Sequence, residues 1–310
     1  MKRYSISVIG ASVLDVTGQP NAKLILGDSN PGKVFITPGG VARNIAENLS
    51  LLDLNVNLIC AMGNDAWGNI LLDLCKKSNI DTSLSVFRDD ESSALYLSIN
   101  NFDKHLELAV VNTDITNHIT PEYIESIASE IEKSDLIIVE TNLTKQTLEY
   151  IADKFSHKPI FLDLVSVTKS NKVKENIGKF HTIKPNLLEA EFLTDIEMTS
   201  NSDLYKMSDY FLAKGVKQVF ITMGVNGCYY ASKDNRGFIE GIKMQIKNSS
   251  GAGDSYISGL AYSFLAKKSI EESAHFATAM SLATVLDKNS VNPNVTVEMI
   301  NDLMQKYNLI

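Results

Sequence analysis

Short apolar runs alternate with longer amphipathic segments along most of the chain. In residues 41–52, apolar side chains recur at the i, i+4 and i+7 spacing of a helix face, and residues 254–267 show the same period. The short runs between such segments are rich in β-branched residues and predict strands. This alternation favours an α/β fold with a mainly parallel sheet and helices on both faces. The predicted strands are residues 5–9, 56–61, 136–139, 160–162 and 219–222.

Two stretches interrupt this alternation and predict a second, smaller sheet. Residues 33–37 are short and β-prone, and residues 93–99 and 105–111 form a predicted antiparallel hairpin. Apolar residues alternate along its second arm, which predicts that the arm is half-buried. We therefore expect a β-sheet lid that projects from an α/β body. The lid would comprise residues 11–37 and 91–112, and the body residues 1–10, 38–90 and 113–310.

Composition excludes several classes of protein. The 310 residues include 29 Lys and Arg against 37 Asp and Glu, a net charge of −8, so we expect no nucleic-acid partner. No run reaches the ~18 apolar residues of a membrane span, and residues 1–10 are typical of a strand, not of a signal peptide. Cys60, Cys75 and Cys228 lie far apart, which predicts buried reduced thiols. These features predict a cytoplasmic protein with no membrane partner.

The clearest chemical signal is the sequence NSSGAGD, from Asn248 to Asp254. It follows Ile242, Met244 and Ile246, whose alternation with polar residues predicts a strand, and it leads into a predicted helix. Glycines at such a helix start let main-chain N–H groups bind an oxyanion. Asp254, in the first turn, is either a catalytic group beside that site or a helix N-cap.

A second glycine pair, Gly39 and Gly40, lies between a β-prone segment and a predicted helix. It would let a ligand lie against the main chain, and Asn44 on the first helical turn offers both a donor and an acceptor. A tight turn followed by a helix cap explains this pattern equally well. Asp15 follows the first predicted strand, where α/β folds place groups that bind ligands.

A third signal is the pair Asn186 and Glu189 in the sequence KPNLLE. Their spacing fits a capping box at a helix start. It fits equally an amide and a carboxylate that lie near metal-bound phosphates. The sequence alone leaves both interpretations open.

Together, these segments resemble the ribokinase-type (phosphofructokinase-B) family of carbohydrate and nucleoside kinases over essentially the whole chain. The resemblance implies a ribokinase-like α/β/α sandwich with a mainly parallel central sheet and a small β-sheet lid. It also implies transfer of the γ-phosphoryl group of ATP, with Mg²⁺, to a primary hydroxyl of a small molecule. An unpaired lid edge further suggests a homodimer that pairs through the lid.

Within the family, residues 28–33 and 38–49 are most similar to the pseudouridine kinases. This similarity implies that the acceptor group is the 5′-hydroxyl of pseudouridine. The alternative acceptors are ribose, a keto-sugar acid, or another nucleoside such as uridine or inosine. An alternative from a different class of protein is a non-catalytic sugar or nucleoside sensor that kept the fold.

The resemblance also implies a role for individual residues. Asp254 matches the catalytic base, and Mg²⁺ is held mainly through phosphates and water, with Glu189 acting indirectly. The anion hole matches Gly251, Ala252 and Gly253. The residues associated with ATP and Mg²⁺ match Asn186, Glu189, Thr222, Gly224 and Gly227. The substrate-binding set matches Asp15, Gly39, Gly40 and Asn44.

Three further positions carry open expectations. Residues 112–115 have the sequence NTDI, which departs from the pattern of the family relatives. The group that contacts the phosphoryl acceptor is therefore either the carboxylate of Asp114 or the amide of Asn112. Members activated by a monovalent cation carry Asp six positions before the catalytic Asp. Asn248 stands there, which predicts weak dependence on K⁺. Lys169, at the mouth of a predicted strand, either steadies the transferred phosphate or the sugar, or is a solvated lysine.

Overall fold

A computed structural model describes residues 4–309, which contain fourteen strands and eleven α-helices. The strands are β1 (Ser5–Ile9), β2 (Val13–Pro20), β3 (Gly32–Gly39), β4 (Asn55–Ile59), β5 (Ala61–Gly63), β6 (Val86–Arg88), β7 (Leu95–Asn100), β8 (Leu106–Asn112), β9 (Leu136–Glu140), β10 (Ile160–Asp163), β11 (Thr182–Ile183), β12 (Gln218–Thr222), β13 (Gly227–Ser232) and β14 (Arg236–Glu240). The helices are α1 (Val41–Leu51), α2 (Ala66–Lys77), α3 (Pro121–Ser126), α4 (Ala128–Ile131), α5 (Lys145–Lys154), α6 (Val167–Ser170), α7 (Leu187–Thr194), α8 (Asn201–Lys214), α9 (Ala252–Leu265), α10 (Ile270–Val285) and α11 (Val297–Lys306).

The large sheet has eight strands in the order β14-β13-β12-β11-β10-β9-β1-β4. The six strands from β12 to β4 run parallel, and β13 and β14 add an antiparallel edge. Side chains alternate between its faces: in β9, Leu136 and Ile138 pack with α1, α9 and α10, whereas Ile137 and Val139 pack with α5 and α8. These layers confirm the predicted α/β/α sandwich with a mainly parallel sheet.

Residues 242–247 do not form the strand that their alternation predicts. Alternating side chains indicate an extended backbone, but a strand also needs a hydrogen-bonded neighbour. Here the chain leaves the sheet at Gly241, which packs so tightly on Val225 that an added Cβ would lie 1.8 Å from the carbonyl oxygen. The segment is therefore extended without being part of a sheet.

The small sheet has the order β3-β2-β7-β8, in which β2 and β7 run parallel and both outer pairs are antiparallel. It confirms the predicted second sheet and the β7–β8 hairpin. The expected half-burial of the second arm is wrong for this chain, because Leu106, Leu108 and Val110 are 57%, 61% and 60% exposed. The alternation is present, but no part of residues 4–309 covers that face. The division into body and lid at residues 11–37 and 91–112 stays a prediction.

The three cysteines are buried free thiols, as predicted. Burial raises the pKa of Cys60 and Cys228 to about 12, and that of Cys75 to about 11, so all three stay protonated at neutral pH. Among residues 4–309, no helix has the length and the apolar character that crossing a bilayer requires.

Candidate active site

The helices that follow the two glycine signatures begin without a side-chain cap. Helix α1 begins after Gly40 and α9 after Gly251, whereas α2, α5, α7, α10 and α11 each begin with a capping side chain. Gly251 has a φ of 78°, and an added Cβ would lie 1.9 Å from the carbonyl oxygen of Ser290. Gly253 and Asp254 follow in the first turn of α9, where N–H groups have no intrahelical acceptor. This helix start can therefore bind an anion.

Asp254 is buried in the first turn of α9 and does not act as its N-cap, which is Gly251. Instead, its Oδ2 accepts a hydrogen bond of 2.8 Å from Nδ2 of Asn44. Burial and the nearby carboxylate of Asp163 raise the pKa of Asp254 to about 7, against the opposing effects of Asn44 and Lys184. A carboxylate with this pKa can accept a proton near neutral pH.

Arg43 fixes the orientation of Asn44, and the sequence analysis did not single it out. Its buried guanidinium donates to the carbonyl oxygen of Gly39 at 3.0 Å, to Glu47 at 2.6 Å and to Oδ1 of Asn44. With its oxygen held, the Asn44 amide presents its nitrogen to Asp254. The feature of the sequence that could have identified it is an arginine among the apolar positions of the helix that follows the glycine pair.

Asp15 lies on β2, at the mouth of the same site. An added Cβ on Gly39 would lie 2.4 Å from Oδ2 of Asp15, so this glycine makes room for the carboxylate. Burial raises the pKa of Asp15 to about 6, and the positive charge of Arg43 opposes the shift. The structure thus brings part of the predicted substrate-binding set to the predicted base, through Gly39, Arg43 and Asn44.

A cluster of buried charges beside Asp254 contains three residues that the sequence analysis missed. Nζ of Lys184 lies 3.3 Å from Oδ2 of Asp163, and both side chains are buried. Glu140 is also buried and accepts a 2.6 Å hydrogen bond from the N–H of Ala11. Each of these charges acts on the pKa of Asp254. The signal was their position, since each stands at or just after the carboxyl end of a parallel strand, where α/β folds place ligand groups.

Asn186 and Glu189 do form the capping box of α7. Oδ1 of Asn186 accepts from the N–H of Glu189 at 2.9 Å, and Oε2 of Glu189 accepts from the N–H of Asn186 at 2.8 Å. Burial raises the pKa of Glu189, and Lys184 opposes the shift. The capping box uses Oε2 of Glu189, and Oε1 takes no part in it. Within residues 4–309, no three acidic, His or Cys side chains are grouped so that they could hold a metal ion.

A cavity of about 340 Å³ opens beside the start of α9 and contains part of the predicted nucleotide wall. Gly224, Gly227 and Ala252 line it, whereas Thr222 lines an adjoining cavity of about 420 Å³ together with Asn186. The apolar walls of the first cavity were not predicted from the sequence. They include Val225, Ile242, Met244, Ile246, Tyr256 and Leu282. The alternation along residues 242–246 thus marks side chains that share a cavity.

Three predicted residues have contacts outside the Asp254 cluster. Asn112 and Asp114 are exposed at the end of β8, where Oδ1 of Asn112 accepts from the N–H of Asp114 at 3.1 Å. Lys169, in α6, is half-buried and donates to Oδ1 of Asn142. It is therefore not simply a solvated lysine. The choice between Asn112 and Asp114 stays open.

The sandwich, the lid and a carboxylate beside an uncapped helix start define a phosphotransferase that acts on a hydroxyl group. The model of the pfkB family of carbohydrate kinases matches residues 5–297, and the chain belongs to this family. A pseudouridine kinase of Escherichia coli K12 is 32% identical over 97% of this chain and 96% of its own length. YeiI, an uncharacterized sugar kinase of the same strain, is 30% identical over 94% of this chain and 81% of its own length.

Solved structures share the whole fold. A Clostridium perfringens protein described as a sugar kinase superposes with a TM-score of 0.90 at 33% identity, over 98% of this chain and 96% of its own. Ribokinase of Arabidopsis thaliana, solved with ribose and ATP, gives a TM-score of 0.85 at 18% identity, over 98% and 99%. These matches confirm the predicted family and the ribokinase-like fold with its separate small sheet.

Proposed function

We propose that this kinase phosphorylates the 5′-hydroxyl of pseudouridine. Like other kinases of the family, it uses ATP and Mg²⁺. The observation that carries the choice of acceptor is the 32% identity to a pseudouridine kinase over nearly the full length of both chains. Residues 28–33 and 38–49, which within the family resemble the pseudouridine kinases most, lie in or beside the lid and the site.

The contacts around Asp254 support its role as the general base. The acceptor hydroxyl would lose its proton to Asp254 as its oxygen attacks the γ-phosphorus, and Asn44 would hold the carboxylate in place. The N–H groups of residues 251–253 would stabilise charge on the phosphoryl oxygens. A sensor has no use for a buried carboxylate of raised pKa beside an anion-binding helix start, so this arrangement favours turnover over sensing.

One face of the lid is mainly polar, although Phe35 and Val111 also lie on it, and the other face is apolar. The strand register puts Asp15, Thr17, Tyr96 and Ser98 on one face, and the hydroxyls of Thr17 and Ser98 lie 2.9 Å apart. We propose that this face closes over the acceptor. Closure would exclude water and so limit hydrolysis of ATP.

The opposite face of the lid is apolar and exposed. Val34, Ile36, Leu97, Leu108 and Val110 share it by register, and Val34 is 70% exposed. An exposed apolar face with free strand edges favours pairing with a second copy. We therefore propose a homodimer through the lid. We also propose a cytoplasmic location, where the three buried thiols stay reduced.

A sugar acceptor is the second candidate, because YeiI, a sugar kinase, is 30% identical to this chain. Release of ADP, measured with pseudouridine, uridine, ribose and fructose, separates the candidates by kcat/KM. We expect pseudouridine to give the highest value. A higher value for ribose or fructose would refute the proposed acceptor and leave the kinase family in place.

A further inference from the structure

Lys184 is a buried cation whose ion pair with Asp163, the one it forms within residues 4–309, is incomplete. It stands between β11 and α7, and its side chain is 7% exposed, close to the 6% of its partner Asp163. Nζ and Oδ2 are 3.3 Å apart, and Oδ2 has no hydrogen-bond partner in residues 4–309. An ammonium group carries three donors. At least two of them therefore have no acceptor within the described part of the chain.

The ammonium group lies at the start of α9. An added Cβ on Gly253 would lie 3.2 Å from Nζ of Lys184, the nearest atom outside the neighbouring residues and backbone of its own helix. Gly253 belongs to the uncapped first turn, whose N–H groups point out of the helix. The ammonium group therefore lies beside these N–H groups, and together they offer two kinds of donor to an anion.

Asp163 has contacts that hold this cation in place. Its Oδ1 accepts from the N–H of Val165 at 2.9 Å, which leaves Oδ2 to face Lys184. Val165 has a φ of 59°, a conformation that costs energy for a β-branched residue and is concentrated at functional sites. The strained turn thus fixes the carboxylate, and the carboxylate fixes the ammonium group.

A purely structural ion pair gives a poor account of this arrangement. A buried pair recovers its desolvation cost only when further hydrogen bonds satisfy the remaining donors and acceptors. Within residues 4–309, Lys184 and Oδ2 of Asp163 lack those bonds, although Oδ1 of Asp163 accepts from Val165. An incoming anion with several oxygens would supply the missing acceptors.

We propose that Lys184 is a catalytic residue that donates hydrogen bonds to a non-bridging oxygen of the transferred γ-phosphoryl group. The acceptor hydroxyl oxygen forms the new bond to the γ-phosphorus, and its proton goes to Asp254. The bond from the γ-phosphorus to the bridging oxygen breaks, and its electron pair leaves on ADP. Lys184 keeps its proton throughout and offsets the charge on the phosphoryl oxygens. This role is independent of which hydroxyl compound is the acceptor.

The test compares Lys184→Met with a control, Lys158→Met, by titration calorimetry with ADP and with the non-hydrolysable triphosphate AMP-PNP, both with Mg²⁺. Lys158 is also partly buried and pairs with Glu132 at 3.3 Å. We expect Lys184→Met to weaken AMP-PNP at least tenfold more than ADP and to lower kcat at least a hundredfold. Lys158→Met should change neither quantity. Equal weakening of both nucleotides, or a kcat within threefold of wild type, would overturn the proposal.

Lys184→Met leaves the Asp163 carboxylate buried without a partner, and such variants can fail to fold. The double variant Lys184→Met/Asp163→Asn removes both charges of the pair and keeps its volume. We expect the same selective loss of AMP-PNP affinity in this variant. If it folds and still prefers AMP-PNP over ADP as wild type does, Lys184 does not contact the γ-phosphoryl group.

Discussion

Helices α7 and α9 both carry an acidic residue in the first turn, but its side chain makes different contacts in the two helices. Each carries a buried acid at its third position, Glu189 in α7 and Asp254 in α9. In α7 the acid turns back to the N-cap and completes a capping box with Asn186. In α9 the N-cap is a glycine, and the acid reaches across to Asn44 on α1.

The difference shows what frees a helix start for chemistry. Asn186 and Glu189 satisfy the first N–H groups of α7 locally, so the start of that helix is closed. Gly251 has no side chain with which to do this, so the N–H groups of Gly253 and Asp254 stay open. The carboxylate of Asp254 is likewise not used by its own helix. Variants at the two helix starts should therefore differ in whether they change stability or catalysis.

Asp254→Asn should have the largest effect. The amide is isosteric and can still accept from Asn44, but it cannot take a proton, so kcat should fall by ~10²–10⁴-fold. The unfolding midpoint should not fall, because Gly251 and not Asp254 is the N-cap. Steady-state kinetics beside a thermal melt measure both. An unchanged melt with a kcat within threefold of wild type would show that Asp254 is not the base.

The pH dependence of kcat/KM should reflect the pKa of Asp254, which burial raises. Its pKa is raised to about 7, so the base holds a proton below that pH and is free above it. We expect kcat/KM to be level above pH ~8 and to fall about tenfold per unit below pH ~6. Asp15→Asn is the control, because it removes another carboxyl of the site whose pKa is raised, and it should lower activity without moving this limb. A limb near pH 4 would contradict the assignment.

The contrast between α7 and α9 also marks what sequence can reveal. Helix faces and strands were predictable because they depend on neighbours in the chain, as in residues 41–52. The capping box of Asn186 and Glu189 is local too. Glu140, Asp163 and Lys184 were missed because they meet only through the order of strands β9, β10 and β11, which no single segment encodes.

The error at residues 242–247 has a related cause. Alternation reports an extended backbone, which one segment can show by itself. A strand also needs a neighbour, and a cavity wall needs residues of α9 and α10 on the other side. Neither the neighbouring strand nor the opposite cavity wall can be predicted from the segment itself. The sequence could therefore predict that Ile242, Met244 and Ile246 point to the same side of the extended chain, but not what lies on that side.

Asn186→Ala should have a moderate effect, mainly on stability. It removes the acceptor for the N–H of Glu189 and opens the start of α7, which costs about 1 kcal/mol. The denaturation midpoint should fall, and Asn186→Asp should retain most of the stability because Asp caps as well as Asn. The control is Thr296→Ala, which removes the cap of α11 and should lower the midpoint without changing the KM for ATP. An Asn186→Ala midpoint equal to wild type would show that the cap carries no stability.

The smallest effect should come from K⁺, because an amide holds the loop before α9. Asn248 accepts from the N–H of Ser250 at 3.0 Å and donates to the carbonyl oxygen of Lys288 at 3.1 Å. One side chain thus joins the open helix start to the loop that packs on Gly251. The amide is neutral, so it can offer a cation one oxygen but no charge, and it gives up the Coulomb attraction that a carboxylate would supply.

Replacing tetramethylammonium by K⁺ should therefore change kcat by less than threefold. Asn248→Asp should increase the response, because a carboxylate cannot donate to the Lys288 carbonyl and both oxygens then face a site that attracts a cation. Stimulation of the wild type by more than tenfold would show that an ion, and not the amide, holds this loop. If K⁺ changes kcat of the wild type and of Asn248→Asp by the same small factor, the carboxylate binds no cation. The hydrogen bond from Ser250, which either side chain can accept, is then sufficient to keep the start of α9 open.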